Sequence, residues 1–417
     1  MPFNLERQRQ AILHVCHADT LDEALQRFKQ DHMILDDCKF VLASEHGNEP
    51  GLATHRDFSA GAAVRSLFAT RRVFVLDRNT VAEMQQGKST FGIDYSISLD
   101  TQALSYLLPY LNHNRSRLPK DFEQVFTFIA DPKTNIDPTP YRLENLFNLT
   151  KKPAEDERIY ERLRAYEILR TIDSKILTSG HVRSTLTDVE LTKRAQEQMA
   201  SLYDLLDTPN SMDGVRFNHA TMYALLLKMC IIQLSQPRTT SLEKLLAFCE
   251  FCDNRLATMF EREIILACHY FQHGQNLGFF GKIMIGGKDA LDRLQGMAWD
   301  LYHVRWMEKA ITFNVSQHAR YFFPALLTFD QGLIKVMDLY PLRACAYSIS
   351  QNEPYPIFDR NLLEQISKHE TTRHLIIERF YSDSAIARRK ENRDGCTAKL
   401  QSIVESLELE FRHIAKI

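Results

Sequence analysis

The chain has 417 residues, 44% hydrophobic and 25% charged, with 51 basic against 53 acidic side chains and a net charge of −2. At ~150 residues per domain this length holds two or three domains, or one with a large insertion, and the core needs no disulfides or structural metal. The balanced charge excludes a protein that coats nucleic acid through bulk charge, leaving local basic patches as the only route to such binding.

The opening residues, MPFNLERQRQ, are polar and charged, unlike a signal peptide. Residues 1–70 mix a helical stretch, LDEALQRF, with a strand-like run, CKFVLAS. Then VFVLD, bounded by polar residues and ending at Asp77, predicts a strand buried on both faces of a sheet. DTQALSYLLPYL has helical spacing, QVFTFIAD predicts a second strand ending near Asp131, and the turn-rich DPKTNIDPTP leads to a helix over YRLENLFNL.

From about 153 to 275 the pattern is almost continuously helical, with breaks near 179–180, 209–210 and 237. Ile159, Leu163, Tyr166, Leu169, Ile172 and Ile176 form one stripe. The most apolar run, residues 219–234, is interrupted by Lys228 and too short to span a bilayer comfortably, which predicts a buried helix and no membrane partner. Eight scattered cysteines predict free thiols in a cytoplasmic protein; Cys249 and Cys252 form a C-x-x-C with no second pair at zinc-finger spacing. After 286, LDRLQGMAWDLYHVRWMEKA predicts a helix, FFPALLTFD a strand ending at Asp330, and LRACAYSI a further strand. The tail from 397 is amphipathic, with Leu400, Ile403, Val404, Leu407, Phe411 and Ile414 on one face.

These elements predict an α/β protein: a parallel sheet core flanked by helices, carrying a large all-helical insertion and helical termini. The segments are an amino-terminal α/β segment over 1–70, a core in two parts over 71–150 and 285–350, the insertion over 151–284 and a tail over 351–417. Sites in open parallel sheets gather at the carboxyl ends of strands, where Asp77 and Asp330 lie. A hard divalent cation such as Mg²⁺ takes oxygen ligands, and convergent carboxylates without basic partners repel one another until a cation relieves them. One or two such ions orient and activate water for attack on a phosphodiester. The candidate ligands and catalytic residues are Asp77, Glu144 near a helix start, Asp300 on a helix with an apolar face, and Asp330, with Glu261 and Glu263 as rivals of Glu144.

The motifs VFVLDRN, YRLEN, MAWDLYH and LLTFD, in this order, resemble the PIN-domain nucleases: a strand ending in Asp with Asn two places on, a Glu at a helix, an Asp on a helix, and a strand ending in T-x-D. The resemblance covers roughly 70–150 and 285–350 and requires an insertion between Glu144 and Asp300. It implies a PIN-like endoribonuclease dependent on Mg²⁺ or Mn²⁺, with Asp77, Glu144, Asp300 and Asp330 at the metal. Asn79 and Thr328 would support the site from behind, and the substrate would be single-stranded RNA rather than DNA. Arg305, Lys151, Lys152, Arg388 and Arg389 are the basic residues placed to contact phosphates.

A haloacid-dehalogenase phosphatase is excluded by Asn79, where that chemistry needs a second Asp. No P-loop and no H-E-x-x-H occurs. Arg27 and His32 fit the R-x4-H spacing of metal-independent ribonucleases, a pattern common by chance. The competing class is a non-catalytic PIN-like adaptor that binds protein partners through the insertion and tail. A third expectation is a toxin or defence effector held inactive by a regulatory partner.

Overall fold

The computed structural model describes residues 2–49, 54–87, 92–149, 153–173, 182–283, 286–313 and 319–417. The protein is α/β, about 59% helical, with two sheets flanked by helices. It divides into two compact units: 1–209 with 305–330 and 341–359, and 210–304 with 331–340 and 360–417. The predicted insertion over 151–284 is therefore shared, its first part belonging to the first unit and the rest to the second.

The first unit contains α1 (Pro2–Cys16), α2 (Leu21–Gln30), β1 (Cys38–Asn48), β2 (Arg56–Asp57), β3 (Ala63–Ser66), β4 (Val73–Leu76), α3 (Arg78–Gln85), β5 (Gly92–Leu99) and α4 (Thr101–Leu111). It continues through α5 (Phe122–Ile129), β6 (Ile136–Asp137), α6 (Thr139–Leu146), α7 (Pro153–Arg170), α8 (Asp188–Asp207), β7 (Ala319–Thr328), β8 (Leu342–Ser348) and β9 (Pro354–Phe358).

Its strands form two sheets rather than the single parallel sheet expected. One has the order β4-β1-β8-β9 and is antiparallel throughout. Ile12, Val15 and Phe28 from α1 and α2 join Phe40, Leu42, Leu76 and Ala344 in the apolar core beside it. The other has the order β2-β3-β7-β5-β6; only β7, β5 and β6 run parallel, and β3 is antiparallel to β7. Pro324 is tolerated within β7 because β3 begins pairing only at Ala325, so no ladder partner on that side needs its missing N–H. Ile97, Leu99, Leu326 and Leu327 are fully buried in this sheet, as expected where helices cover a parallel ladder.

The predicted strand QVFTFIAD is instead α5. Its buried residues Phe122, Val125, Phe126 and Ile129 recur at three and four residues, and this helical spacing overrides the β preference of its aromatic and branched side chains. The stripe Ile159, Leu163, Tyr166 and Leu169 is buried on α7, with Ile172 just beyond it; Ile176 lies outside the described residues.

The second unit holds α9 (Asp213–Ser235), α10 (Ser241–Arg255), α11 (Glu261–His273), most of α12 (Ala290–Ala310), α13 (Gln331–Leu339), α14 (Leu362–Ile366), α15 (Glu370–Ile376), α16 (Asp383–Ala398) and α17 (Leu400–Ala415). Helix α10 starts at a capping box, Thr240 and Glu243 satisfying each other's backbone N–H groups. The apolar run 219–234 is the buried middle of α9, packed against α17. Leu400, Ile403, Val404, Leu407 and Phe411 of α17 are buried as the amphipathic pattern predicts. The Tyr223 hydroxyl donates to Glu408 Oε1 at 2.8 Å across this helix pair. Among the described residues no helix is long and apolar enough to cross a membrane.

Candidate acidic site at the carboxyl edge of the parallel strands

Asp77 follows β4 as predicted, but its carboxylate has structural work. It caps α3, accepting from the Thr80 backbone N–H at 2.7 Å, and it accepts from the Tyr321 hydroxyl at 2.6 Å. Arg320 stands 3.9 Å away, and the Asp77 charge favours the ammonium of Lys39, which burial disfavours. A carboxylate in cationic company has no need of a metal ion. Asn79 is exposed on α3. Tyr321 and Thr328 are seven residues apart on β7, about 23 Å at 3.3 Å per residue, so Asp77 and Asp330 serve opposite ends of one strand. We expect Asp77→Ala to cost roughly 2–4 kcal/mol, from a lost cap and a stranded buried hydroxyl, in urea unfolding. A loss below about 0.5 kcal/mol would contradict this structural role.

Asp330 lies at the other end, where the sheet changes direction. The chain leaves β5 through α4 and α5 to reach β6 on one side, whereas β7 pairs with the opposite side of β5. In open sheets such divergence marks the carboxyl ends of the two central strands as the place to look for a site. Leu99 is in register with Leu327, so the next residues, Asp100 and Thr328, meet at this edge. The Asp100 N–H donates to Leu327 O at 3.1 Å, continuing the ladder past the last strand residue.

Asp100 is the acidic residue that the sequence reading missed. Its carboxylate caps α4 through the Ala103 N–H at 2.5 Å and also accepts from the Thr328 hydroxyl and the Phe329 N–H. Burial, helped by the negative charge of Glu144, pushes its pKa up to about 7 against these hydrogen bonds. Thr328 is fully buried, and its oxygen accepts from the Asp330 N–H at 3.0 Å. Thr328 thus joins the Asp100 carboxylate to the backbone of Asp330. Tyr106, close enough to feel the Asp100 charge, packs edge-on against Phe329 at 5.2 Å and adds apolar surface beside it.

Glu144 is half-buried on α6. It occupies the last turn rather than the helix start expected, because Pro138 and Pro140 begin the helix early. Asp300, half-buried on α12, belongs to the second unit, as do Glu261, half-buried, and Glu263, buried, on α11, whereas Asp100, Glu144, Thr328 and Asp330 belong to the first. Among the described residues no three His, Cys, Asp or Glu side chains form a ready metal cage, and the predicted four-residue set is not one cluster.

Of the predicted phosphate contacts, Arg305, Arg388 and Arg389 have carboxylate partners within the protein. Arg305 donates to Glu308 at 2.8 Å. Arg388 and Arg389 both grip the buried carboxylate of Asp253, at 2.5 and 2.7 Å, and Arg389 is itself buried. Lys151 and Lys152 lie outside the described residues. No model of a known protein family, no curated protein and no solved structure matches this chain.

Proposed function

We propose that the first unit is a PIN-like endoribonuclease that hydrolyses phosphodiester bonds of single-stranded RNA with Mg²⁺ or Mn²⁺. The observation that carries this reading is Asp100: a buried carboxyl group with a pKa near 7, at the switch point of the parallel strands, beside the charge of Glu144. Two neighbouring acids, one of them desolvated, resist joint ionisation, and a cation relieves that cost. The donor set fits a hard divalent ion, which commonly takes one or two carboxylates and keeps waters in its remaining positions. Asp100 and Glu144 would hold it. Bound there, the ion supplies activation of water and neutralisation of charge on the phosphate.

The chain's own residues prepare that chemistry. Thr328 and the Phe329 N–H fix the Asp100 carboxylate, and the Tyr106–Phe329 pair keeps bulk water from it. In this reading the PIN-like pattern starts at SISLDTQ, with Gln102 where the family pattern has Asn or Ser, and ends at the T-x-D of Thr328 and Asp330. The test is cleavage of end-labelled single-stranded RNA and DNA by purified full-length protein with Mn²⁺, Mg²⁺ or EDTA. Metal-dependent cutting of RNA is expected; absence of cutting with either ion would overturn the reading.

A further inference from the structure

A second feature of the first unit lies apart from the acidic edge. Two adjoining hollows of about 370 and 500 Å³ share Arg142, Arg170 and Gln198 as common walls. Sites for small ligands have volumes of about 300–1,000 Å³ and combine an apolar wall with a few placed polar groups. Here Trp306, Phe313 and Phe322 line one side of the smaller hollow, with Ser96, Ser98 and Asp137 also on its lining. Trp306 and Phe313 meet edge to face at 5.6 Å, and both line the hollow.

The charges around these hollows are unequally satisfied. Asp137 accepts from Ser96 and Ser98, at 2.5 and 2.9 Å, and from the Thr139 N–H at 2.9 Å. Glu167 accepts from Gln198 at 2.6 Å and faces Arg194 at 3.8 Å, while Glu197 faces Lys193 at 4.0 Å. Among the described residues, neither Arg142 nor Arg170 has a carboxylate at ion-pair distance. Arg142 donates to Ser201 Oγ at 2.9 Å, yet its Nε is buried with no hydrogen-bond partner among the described residues. Arg170 is exposed at the end of α7. Asp137 lends Arg142 some negative field and Arg170 lies over the Tyr166 ring at 5.8 Å, but neither guanidinium is held in an ion pair among the described residues. Two such groups beside an aromatic wall suit a ligand that is anionic at one end and flat at the other.

We propose that this cavity binds one nucleotide unit, its base against Trp306 and Phe313 and its phosphate on Arg142 and Arg170. A base on an aromatic ring and a phosphate on an Arg fork are the two contacts that single nucleotides and unpaired RNA residues share. The binding is independent of the acidic edge and is read without cleavage.

The test is titration of the full-length protein in EDTA with AMP, GMP, CMP, UMP, adenosine, inorganic phosphate and a five-residue RNA, followed by calorimetry and tryptophan fluorescence. The chain has two tryptophans, and Trp299→Phe leaves Trp306 as the reporter. At least one nucleotide is expected to bind and quench Trp306. Arg170→Gln, a surface change, should weaken that nucleotide about tenfold while leaving adenosine unchanged, and Trp306→Leu should weaken both. Tighter binding of the RNA than of any mononucleotide identifies a strand residue as the ligand; equal or weaker binding identifies a free nucleotide. The proposal fails if no nucleotide binds at millimolar concentration, if Arg170→Gln leaves affinity unchanged, or if phosphate alone binds as well. Asp100→Asn protein should bind the nucleotide normally, so loss of cleavage and loss of this site remain separable.

Discussion

Asp100→Asn is expected to lower metal-dependent RNA cleavage by at least about 100-fold, because even groups that merely support metal ligands are worth 10–100-fold. Glu144→Gln should do the same, whereas Asp77→Ala should leave cleavage per folded molecule unchanged. The Asp100 variant also carries a signature in stability. The folded carboxyl takes its proton near pH 7, an unfolded one near pH 4. Between these values the folded state binds more protons, so stability falls as pH rises, and is regained on acidification toward pH 4. A shift of about three units amounts to roughly 4 kcal/mol across that window. Urea titrations at several pH values should show this slope in the native protein and its loss in Asp100→Asn. Retention of wild-type cleavage by Asp100→Asn would remove this residue from the chemistry.

The largest expected loss of stability is at Asp253. Its buried carboxylate holds both Arg388 and Arg389, and Arg389 also donates to Phe380 O at 2.7 Å, tying α16 back to α10. Asp253→Ala leaves the Arg389 charge buried without its partner, a defect that costs about 3–5 kcal/mol. Arg388 is 46% exposed, and Arg388→Gln should cost less than about 1 kcal/mol because water takes over its solvation. Denaturant unfolding followed by circular dichroism and Trp299 fluorescence distinguishes them. Equal midpoints for Asp253→Ala and the native protein would mean that the clamp adds nothing. The same pair bears on nucleic acid: Arg388→Gln should leave RNA affinity unaltered, since the basic run closes a helix packing.

The sequence made Asp330 and Thr328 visible because β7 is an unbroken apolar run with a conspicuous acidic end. It concealed Asp100 because β5 alternates Ser with Ile and Leu. Ser96 and Ser98 are hydrogen-bonded to Asp137 on the neighbouring strand, and that partner, some forty residues away, leaves no mark on the local pattern. Asp77 carries a double signal: a strand ending in Asp before a helix is equally the signature of an N-cap, and its bond to Tyr321, from a distant strand, cannot be read from the local sequence. The α5 error arose within a single turn. Four apolar residues in five positions suggest a strand until Phe122, one turn earlier, is counted into the stripe. In the basic run the density of Arg was plain, but its pairing with Asp253, more than 130 residues away, and the burial of Arg389 leave no mark on the local pattern.

The interleaving of the two units also governs the order of events during synthesis. Strand β5 ends at Leu99, while its central neighbour β7 begins at Ala319, some 220 residues later. A ribosome that has delivered β5 must therefore translate nearly all of α7 to α12 before that edge acquires its partner. Meanwhile β5 presents unpaired backbone to any neighbouring chain, and closing so long a loop makes the pairing slow. Chains released early, before residue 319, would carry Asp100 without its Thr328 partner. They would be prone to association, so completion of the polypeptide is what closes this edge.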